Sequence, residues 1–399
     1  MNALSTRRGL APVDRHFARL IGRLARQAGE DAALLEETAA WVSRERGRGH
    51  SCLLLEKAAG QPKLGGDESG PGRTPSKDRS RKVEHLPSLE AWRETLRGSS
   101  LVALPDDASG PGAAVAKNLT SKPLTPKLLT PKPLVLDASD RLYLWRYWRA
   151  EQKLAARLLA MAPTGDGEAG LAASVAALWR RLFPDAAGAE IDSQAAAAAA
   201  ALTSPLSLVS GGPGTGKTTT VVRLLAVAAE AWPDLRIQLA APTGKAAARL
   251  DEAIRGQLEK MDEDLRLKVE ALPRKAATLH RTLGYSPRTD RFRHHAGRPL
   301  TCDLLVIDEA SMVDLLMMHA ALDALPAGSR LVLLGDRDQL ASVETGFVFG
   351  DLCAAAGLER PEAESPEPPE ARRRLPARLQ RAYDLLAGIP TDLETEESG

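Results

Sequence analysis

Leu206-Ser-Leu-Val-Ser210-Gly211-Gly-Pro-Gly-Thr-Gly216-Lys217-Thr218-Thr219-Thr220 is an apolar run, a glycine-rich turn, then a lysine and three threonines that lead into an amphipathic stretch. The spacing satisfies G-x-x-x-x-G-K-[ST], and the flanks supply the context that this pattern needs, a strand before and a helix after. Gly211, Gly212, Gly214 and Gly216, with Pro213 and Thr215 among them, let the backbone turn its N–H groups inward, and the following helix adds its positive end. Lys217 then balances phosphate charge, the Thr218 hydroxyl suits magnesium, and Thr219 completes the phosphate-binding run. The expected ligands are ATP and Mg2+.

Outward from this run, Ile237 to Ala241, Leu304 to Ile307 and Leu331 to Leu334 are further short apolar runs separated by helical stretches. Continuous apolar strands alternating with helices specify a parallel sheet covered on both faces, and such sheets place ligands at the carboxyl ends of their strands. The third run ends in Asp308-Glu309-Ala-Ser311. Asp308 is placed to hold magnesium through its water shell, and Glu309 to orient and deprotonate the attacking water. The fourth ends in Gly335-Asp336-Arg-Asp-Gln339, where an amide that both donates and accepts can bond a γ-phosphate and report its loss. Lys217, Asp308, Glu309 and Gln339 are thus the candidate catalytic residues, and Thr218 with Asp308 the candidate metal ligands.

Residues 14 to 56 read as helical, with Phe17, Leu20, Ile21, Leu24 and Ala25 at helical spacing. From about Gly60 the composition turns to Gly, Pro, Ser and Lys, broken by a short helical stretch at Leu86 to Leu96, and most of 60–133 reads as a flexible insertion. Its Leu119 to Pro133 pentad repeat is held extended by proline and reads as a solvated linker. Pro133 to Asp137 and Arg141 to Leu144 read as two short strands around an Ala-Ser-Asp turn running into a helix, with Tyr143, Trp145, Tyr147 and Trp148 packed rather than stacked on nucleic acid.

The apolar fraction of 44% and charged fraction of 26% are those of a globular chain. A net charge of +1 hides basic clusters and an acidic C-terminus, so overall charge excludes no polyanionic partner. Three cysteines, Cys52, Cys302 and Cys353, lack the spacing of a zinc site or a disulfide framework, which points to a reducing cytosol. The N-terminus lacks a signal-peptide core and no run of apolar residues is long enough for a membrane span, so the expectation is a cytoplasmic protein with no membrane association.

Taken in order, these motifs resemble a superfamily 1 DNA helicase. Gly211 to Thr220 looks like motif I, Ala240-Ala-Pro-Thr243-Gly244-Lys245 like motif Ia, Thr278-Leu-His280-Arg281-Thr-Leu-Gly-Tyr285 like motif Ib, and the Asp308 and Gly335 runs like motifs II and III. Gly49-His50-Ser-Cys52-Leu-Leu-Leu and Pro133 to Trp148 add a resemblance to the RecD family, the alpha subunit of exodeoxyribonuclease V (RecBCD). The resemblance covers residues 48–56, 133–149 and 190–353. It implies an α/β fold, a RecA-like P-loop NTPase sheet preceded by a small, mainly helical N-terminal domain. It implies an ATP-driven 5′-to-3′ DNA helicase subunit for double-strand break repair, working with RecB-like and RecC-like partners on single-stranded DNA from duplex ends. Gln194 would match the family's adenine-reading glutamine, or else lie on a polar helix face. Thr243, Lys245, Thr278 and His280 would match contacts to single-stranded DNA, although Lys245 also suits a solvated helix start. The basic stretch 286–299, with Arg288, Arg291, Arg293 and Arg298, resembles a hairpin near DNA and equally suits a solvated loop.

The layout expected is a helical domain at 1–59, the insertion at 60–133, the rest of the N-terminal domain with connecting helices at 134–190, and the ATPase domain at 191–356. Residues 357–399 are a Pro/Glu-rich tail, with a helix expected from Arg372 to Leu386, and carry none of motifs IV to VI. A second RecA-like domain with its arginine finger is therefore expected to be absent, leaving a chain that alone binds nucleotide weakly and hydrolyses it slowly. Two other readings stand beside the helicase subunit: a stand-alone relative, and a non-catalytic module that docks on partner subunits.

Overall fold

Pro12, with its fixed φ and missing N–H, opens the first helix, α1 (Pro12–Gln27), and Asp14 turns back to accept the Ala11 N–H at 2.9 Å. The computed structural model describes residues 10–64, 84–105, 132–161, 173–187, 192–212, 214–271, 276–339 and 345–356. They divide into two units, Met1–Ala156 with Ser342–Gly346, and Arg157–Ala341 with Phe347–Gly399.

In the first unit α1 ends at Gly29, whose φ of 72° a side chain would resist. Asp31 then caps α2 (Ala32–Gly47), accepting from Ala33 N and Leu34 N at 3.1 and 3.0 Å. Ala18, Ile21 and Ala25 of α1 share one core with Leu35, Ala39 and Val42 of α2, all nearly or fully buried. β1 (Cys52–Leu54) leads into α3 (Leu55–Ala58). α4 (Leu89–Gly98), β2 (Val102–Ala103), β3 (Leu134–Leu136), β4 (Arg141–Leu144) and the first three turns of α5 (Trp145–Ala160), up to Ala156, complete the unit. The strands form a sheet in the order β1-β4-β3-β2, antiparallel except for the β2–β3 pair. Thr345, also in this unit, donates through Oγ1 to the Arg46 carbonyl at 3.0 Å.

Two expectations change here. The helical reading of residues 14–56 fails at Cys52–Leu54, which pairs with Arg141–Tyr143 as a strand because Gly49, at φ 92°, turns the chain out of α2. Residues 84–105 lie in the stretch read for the most part as a flexible insertion and supply core instead, while the helix expected within it at Leu86 to Leu96 is α4. Trp92 and Leu96 are fully buried. The Trp92 indole N–H donates to Thr38 Oγ1 at 2.9 Å, satisfying a polar atom that burial would otherwise leave unpaired. The two strands expected around Ala138-Ser139-Asp140 are β3 and β4, and Tyr143 and Tyr147 are buried as anticipated. The pentad repeat up to residue 131 and the tail 357–399, with its expected helix, lie outside the described residues.

The second unit holds α6 (Ala173–Leu182), a 3-10 turn at Pro184–Ala187, α7 (Ser193–Thr203), β5 (Leu206–Ser210) and α8 (Lys217–Ala231). β6 (Ile237–Ala241), α9 (Gly244–Leu258), α10 (Glu263–Ala271), β7 (Ala276–Thr278) and α11 (Leu279–Thr282) follow. After them come β8 (Tyr285–Ser286), β9 (Arg291–Phe292), β10 (Leu304–Ile307), α12 (Leu315–Ala324), β11 (Arg330–Gly335) and α13 (Val348–Ala355). The alanine run of α7 combines the best helix former with the smallest side chain that has a Cβ, so Ala195, Ala198 and Ala199 bury completely in the core that holds Leu224 and Leu225 of α8. The main sheet is parallel throughout, in the order β5-β11-β10-β6-β7. All four residues of β10 are buried, as a central strand covered on both faces requires. The fold is an α/β P-loop NTPase sheet with a helix-rich N-terminal region.

Candidate functional site

The strand order converts a scattered set of motifs into a row. Along the carboxyl edge of the sheet stand the loops after β5, β11, β10, β6 and β7, which carry the Gly211, Gly335, Asp308, Thr243 and Thr278 runs respectively. Backbone hydrogen bonds join neighbours in that row. Gly211 N donates to the Gly335 carbonyl at 3.1 Å, and Asp308 N to the Ala240 carbonyl at 2.9 Å.

The glycine-rich turn after β5 uses left-handed backbone at Gly214 (φ 79°) and Gly216 (φ 83°), and Gly216 is the N-cap of α8. Thr215 Oγ1 donates to the Gly212 carbonyl at 2.9 Å, closing the turn on itself. Lys217 folds back so that its ammonium donates to the Gly211 carbonyl and, at 3.1 Å, to the Gly212 carbonyl. Thr218 and Thr219 lie half-buried in the first turn of α8, while Pro213 is outside the described residues.

Asp308 and Glu309 leave β10 together. Asp308 Oδ1 accepts the Glu309 N–H at 2.9 Å. Burial pushes the Asp308 carboxyl above its ordinary value and the neighbouring Glu309 charge adds to that, while the Glu309 N–H and the Lys217 charge oppose it. Glu309 itself has φ 51°, left-handed backbone that a non-glycine residue enters only under constraint. A 3-10 turn, Ala310–Met312, follows at once, and the Ser311 hydroxyl inside it is buried with no partner among the described residues. On the neighbouring strand end, Asp336 Oδ1 accepts the Asp338 N–H at 3.0 Å and Gln339 N donates to the Asp336 carbonyl at 3.3 Å, which holds Gln339 on a tight turn, half-buried.

Gln194, in the first turn of α7, turns its amide towards the glycine-rich loop. Its side chain is half-buried against the loop, where a Cβ at Gly216 would run into its Nε2, and its Oε1 accepts from Arg223 Nη1 at 3.1 Å. Sequence reasoning does not single out Arg223. Its position on α8 one turn beyond Thr219 is the only signal the sequence offers.

The four expected DNA contacts stand after β6 and β7. Thr243 caps α9, Oγ1 accepting from Ala246 N at 3.2 Å, and Thr278 caps α11, accepting from Arg281 N at 3.2 Å. Each hydroxyl keeps its own proton to donate. Lys245 and His280 are exposed. The His280 ring meets Tyr285 edge-on at 5.3 Å, and Tyr285 and Phe292 pair at 5.5 Å, an aromatic cluster that spacing alone does not reveal. The stretch 286–299 contains a two-stranded hairpin, β8 with β9, turned at Asp290 (φ 51°) and latched by Tyr285 O–H donating to Asp290 at 2.8 Å.

Among the described residues there is no group of three or more His, Cys, Asp or Glu able to hold a metal ion. The donors present, one half-buried carboxylate and one hydroxyl, form the sparse set that suits magnesium shared with substrate phosphates rather than a closed protein cage. Among the same residues no helix is long and apolar enough to cross a membrane.

Two family models match the chain: an AAA domain over residues 194–345, and the N-terminal domain of the RecBCD enzyme subunit RecD over residues 6–143. The chain is 39% identical over 354 residues to the RecBCD enzyme subunit RecD of Mycolicibacterium smegmatis, which covers 87% of this chain and 53% of that protein. It is 50% identical over 165 residues to the same-named subunit of Haemophilus influenzae, covering 40% of this chain and 26% of that protein. It is also 38% identical over 218 residues to the ATP-dependent RecD2 DNA helicase of Deinococcus radiodurans, covering 54% and 26%. The chain thus spans about half the length, or less, of the curated relatives it matches. The AAA match and the loop after β5 make the second unit a nucleotide-binding domain, and with an N-terminal match of its own the chain belongs to the RecD family.

Proposed function

We propose that this chain carries the nucleotide-binding motor domain of a 5′-to-3′ DNA helicase subunit that hydrolyses ATP and acts with RecB-like and RecC-like partners. The observation that carries the reading is the row of loops on one sheet edge, in which the Lys217, Gln339 and Asp308 loops are consecutive and backbone-bonded to their neighbours. The names of the relatives, RecBCD subunits and a DNA helicase, support the partners and the activity.

In this reading the backbone N–H groups of Gly212 and of Gly214 to Thr219, at the start of α8, receive the phosphates, and Lys217 exchanges the loop carbonyls for phosphate oxygens. Magnesium would be held by Thr218 and Asp308, and when bound it supplies charge neutralisation on the β- and γ-phosphates. Glu309, fixed by its strained backbone beside Asp308, orients a water and takes its proton. Gln339 bonds the γ-phosphate through its amide and passes the loss of that bond to β11. Thr243, Lys245, Thr278 and His280 hold phosphates of a single strand without reading sequence.

The test is to co-express the chain with RecB-like and RecC-like partners and follow ATP turnover with and without single-stranded DNA. DNA-stimulated turnover that is lost in Lys217→Ala and in Glu309→Gln is expected. Failure of the chain to co-purify with either partner, or turnover indifferent to Lys217→Ala, would sink the reading.

A further inference from the structure

We propose that the outward face of α5 in the first unit, carrying Arg146, Arg149 and Lys153, is a contact for the phosphate backbone of duplex DNA. This surface is separate from the nucleotide site and does not depend on it.

Arg146, Arg149, Lys153 and Ala156 are the exposed residues of α5 within that unit, and steps of three, four and three residues line them up on one face of a helix. Tyr147, Ala150 and Leu154 form the buried face. The one carboxylate of the helix, Glu151, is turned to the protein, half-buried, accepting from Ser51 Oγ at 3.3 Å and from the Tyr143 O–H at 3.4 Å. Among the described residues none of the three cations makes an ion pair or a side-chain hydrogen bond.

Local chemistry opposes this placement. Like charges three and four residues apart repel along a helix, and a cation in the first turn opposes the helix dipole. The first turns of α1, α4 and α10 hold acids, whereas that of α5 holds none and carries Arg146. A face that breaks both rules, with nothing inside the fold to offset them, carries its charge for something outside.

The make-up of the face selects the occupant. Its one uncharged member, Ala156, supplies little apolar area, so the face lacks the apolar centre on which protein interfaces are built. Trp145 and Trp148 pair at 5.4 Å and pack, half-buried, against Ala103, Val135 and Tyr143, which leaves no fully exposed ring to stack on unpaired bases. What remains is fixed positive charge, and that suits a backbone whose bases are already stacked. At about 1.5 Å of rise per residue, Arg146 and Lys153 stand about 10 Å apart along α5. That is the axial span of about three phosphates in one strand of a duplex.

The test is fluorescence anisotropy of the full chain, without nucleotide, against a short duplex and a single strand of the same length over a series of salt concentrations. Replacing Arg146, Arg149 and Lys153 together by glutamine is expected to flatten the salt slope for the duplex by about 0.9 for each phosphate released, and to leave the single-strand slope unchanged. Removing the same charge at the exposed Lys57, Arg97 and Lys260 is expected to change neither slope. Arg146→Lys with Arg149→Lys keeps the charge and should keep the duplex slope, which separates loss of charge from damage to the fold. An unchanged duplex slope in the glutamine variant, a loss reproduced at Lys57, Arg97 and Lys260, or a loss confined to the single strand overturns the proposal. So does a wild-type chain that binds no duplex. Each of these results leaves the nucleotide-site reading standing, because Lys217→Ala tests that separately.

Discussion

Gly211, the first glycine of the phosphate loop, donates its N–H to the carbonyl of Gly335 at 3.1 Å, so the root of the loop and the end of β11 are one backbone structure. Gly335 has no room to change. A Cβ there would lie 2.8 Å from the Phe349 ring on α13. Gly335→Ala is expected to destabilise the domain by about 1–3 kcal/mol through overpacking and to weaken nucleotide binding at the same time. Adding Phe349→Leu should recover part of both. Thermal melts paired with nucleotide titration check it, and a melt shift without any change in binding would show the two strand ends to be uncoupled.

Lys217→Ala removes the ammonium that now rests on the Gly211 and Gly212 carbonyls. We expect nucleotide affinity to fall about ten- to a hundredfold, the worth of a charge-assisted hydrogen bond. The melting temperature should change little, because the ammonium is half-exposed and its loop carbonyls regain water. Unchanged affinity would remove this lysine from the phosphate site.

β10 is flanked by two aspartates pushed in opposite directions. Hydrogen bonds from Arg236 hold the Asp303 carboxyl at about 2, whereas burial raises that of Asp308. Asp303 therefore adds stability that is present above its ordinary value of 3.8 and is lost as pH falls towards about 2. Asp308 does the reverse: the unfolded chain ionises first, so stability falls as pH rises from 3.8 to the raised folded value and stays lower above it. At pH 7 Asp303→Asn is expected to lower the melting temperature and Asp308→Asn to raise it, and both differences should shrink as the solution is acidified. Urea melts across pH check the signs.

Glu309 has φ 51°, and the conformation disfavours any residue with a Cβ. Both Glu309→Ala and Glu309→Gly should lose turnover, yet the glycine variant is expected to be the more stable by about 1 kcal/mol. Equal stabilities would mean that the backbone at this carboxylate relaxes without help.

The hairpin prediction concerns salt. Replacing Arg288, Arg291 and Arg293 by glutamine should flatten the dependence of single-strand affinity on salt by about 0.7 for each phosphate that the hairpin no longer neutralises. Tyr285→Ala should instead weaken binding with little change in slope, since a ring that stacks releases no counterion. If neither variant moves affinity, the hairpin lies away from the strand.

The strand ends are legible in the sequence because glycine, lysine and paired carboxylates have few other reasons to follow apolar runs of that length. The strand ends that carry Lys217, Asp308 and Gln339 can therefore be located from the sequence alone, and the strands β5, β6 and β10 have the bounds that the apolar runs suggest. β7 escapes, since Ala276-Ala277-Thr278 has too little apolar bulk to read as a strand. β2 escapes for being two residues long, and β1 because it lies inside the stretch 14–56 that reads as helical. Arg223 is invisible for a different reason. Its partners, Gln194 and Phe183, come from separate helical segments that only the folded chain brings to one side of α8.

The order β5-β11-β10-β6-β7 also sets a length. Strands in a sheet stand about 4.8 Å apart, so a phosphate gripped after β5 and a strand gripped after β7 are separated by four spacings, about 19 Å. In the proposed function, the effect of a lost γ-phosphate on a strand held after β7 passes crosswise through the paired strands, of which the Gly211–Gly335 and Asp308–Ala240 hydrogen bonds are two links. The sheet is then a transmission shaft as well as a scaffold.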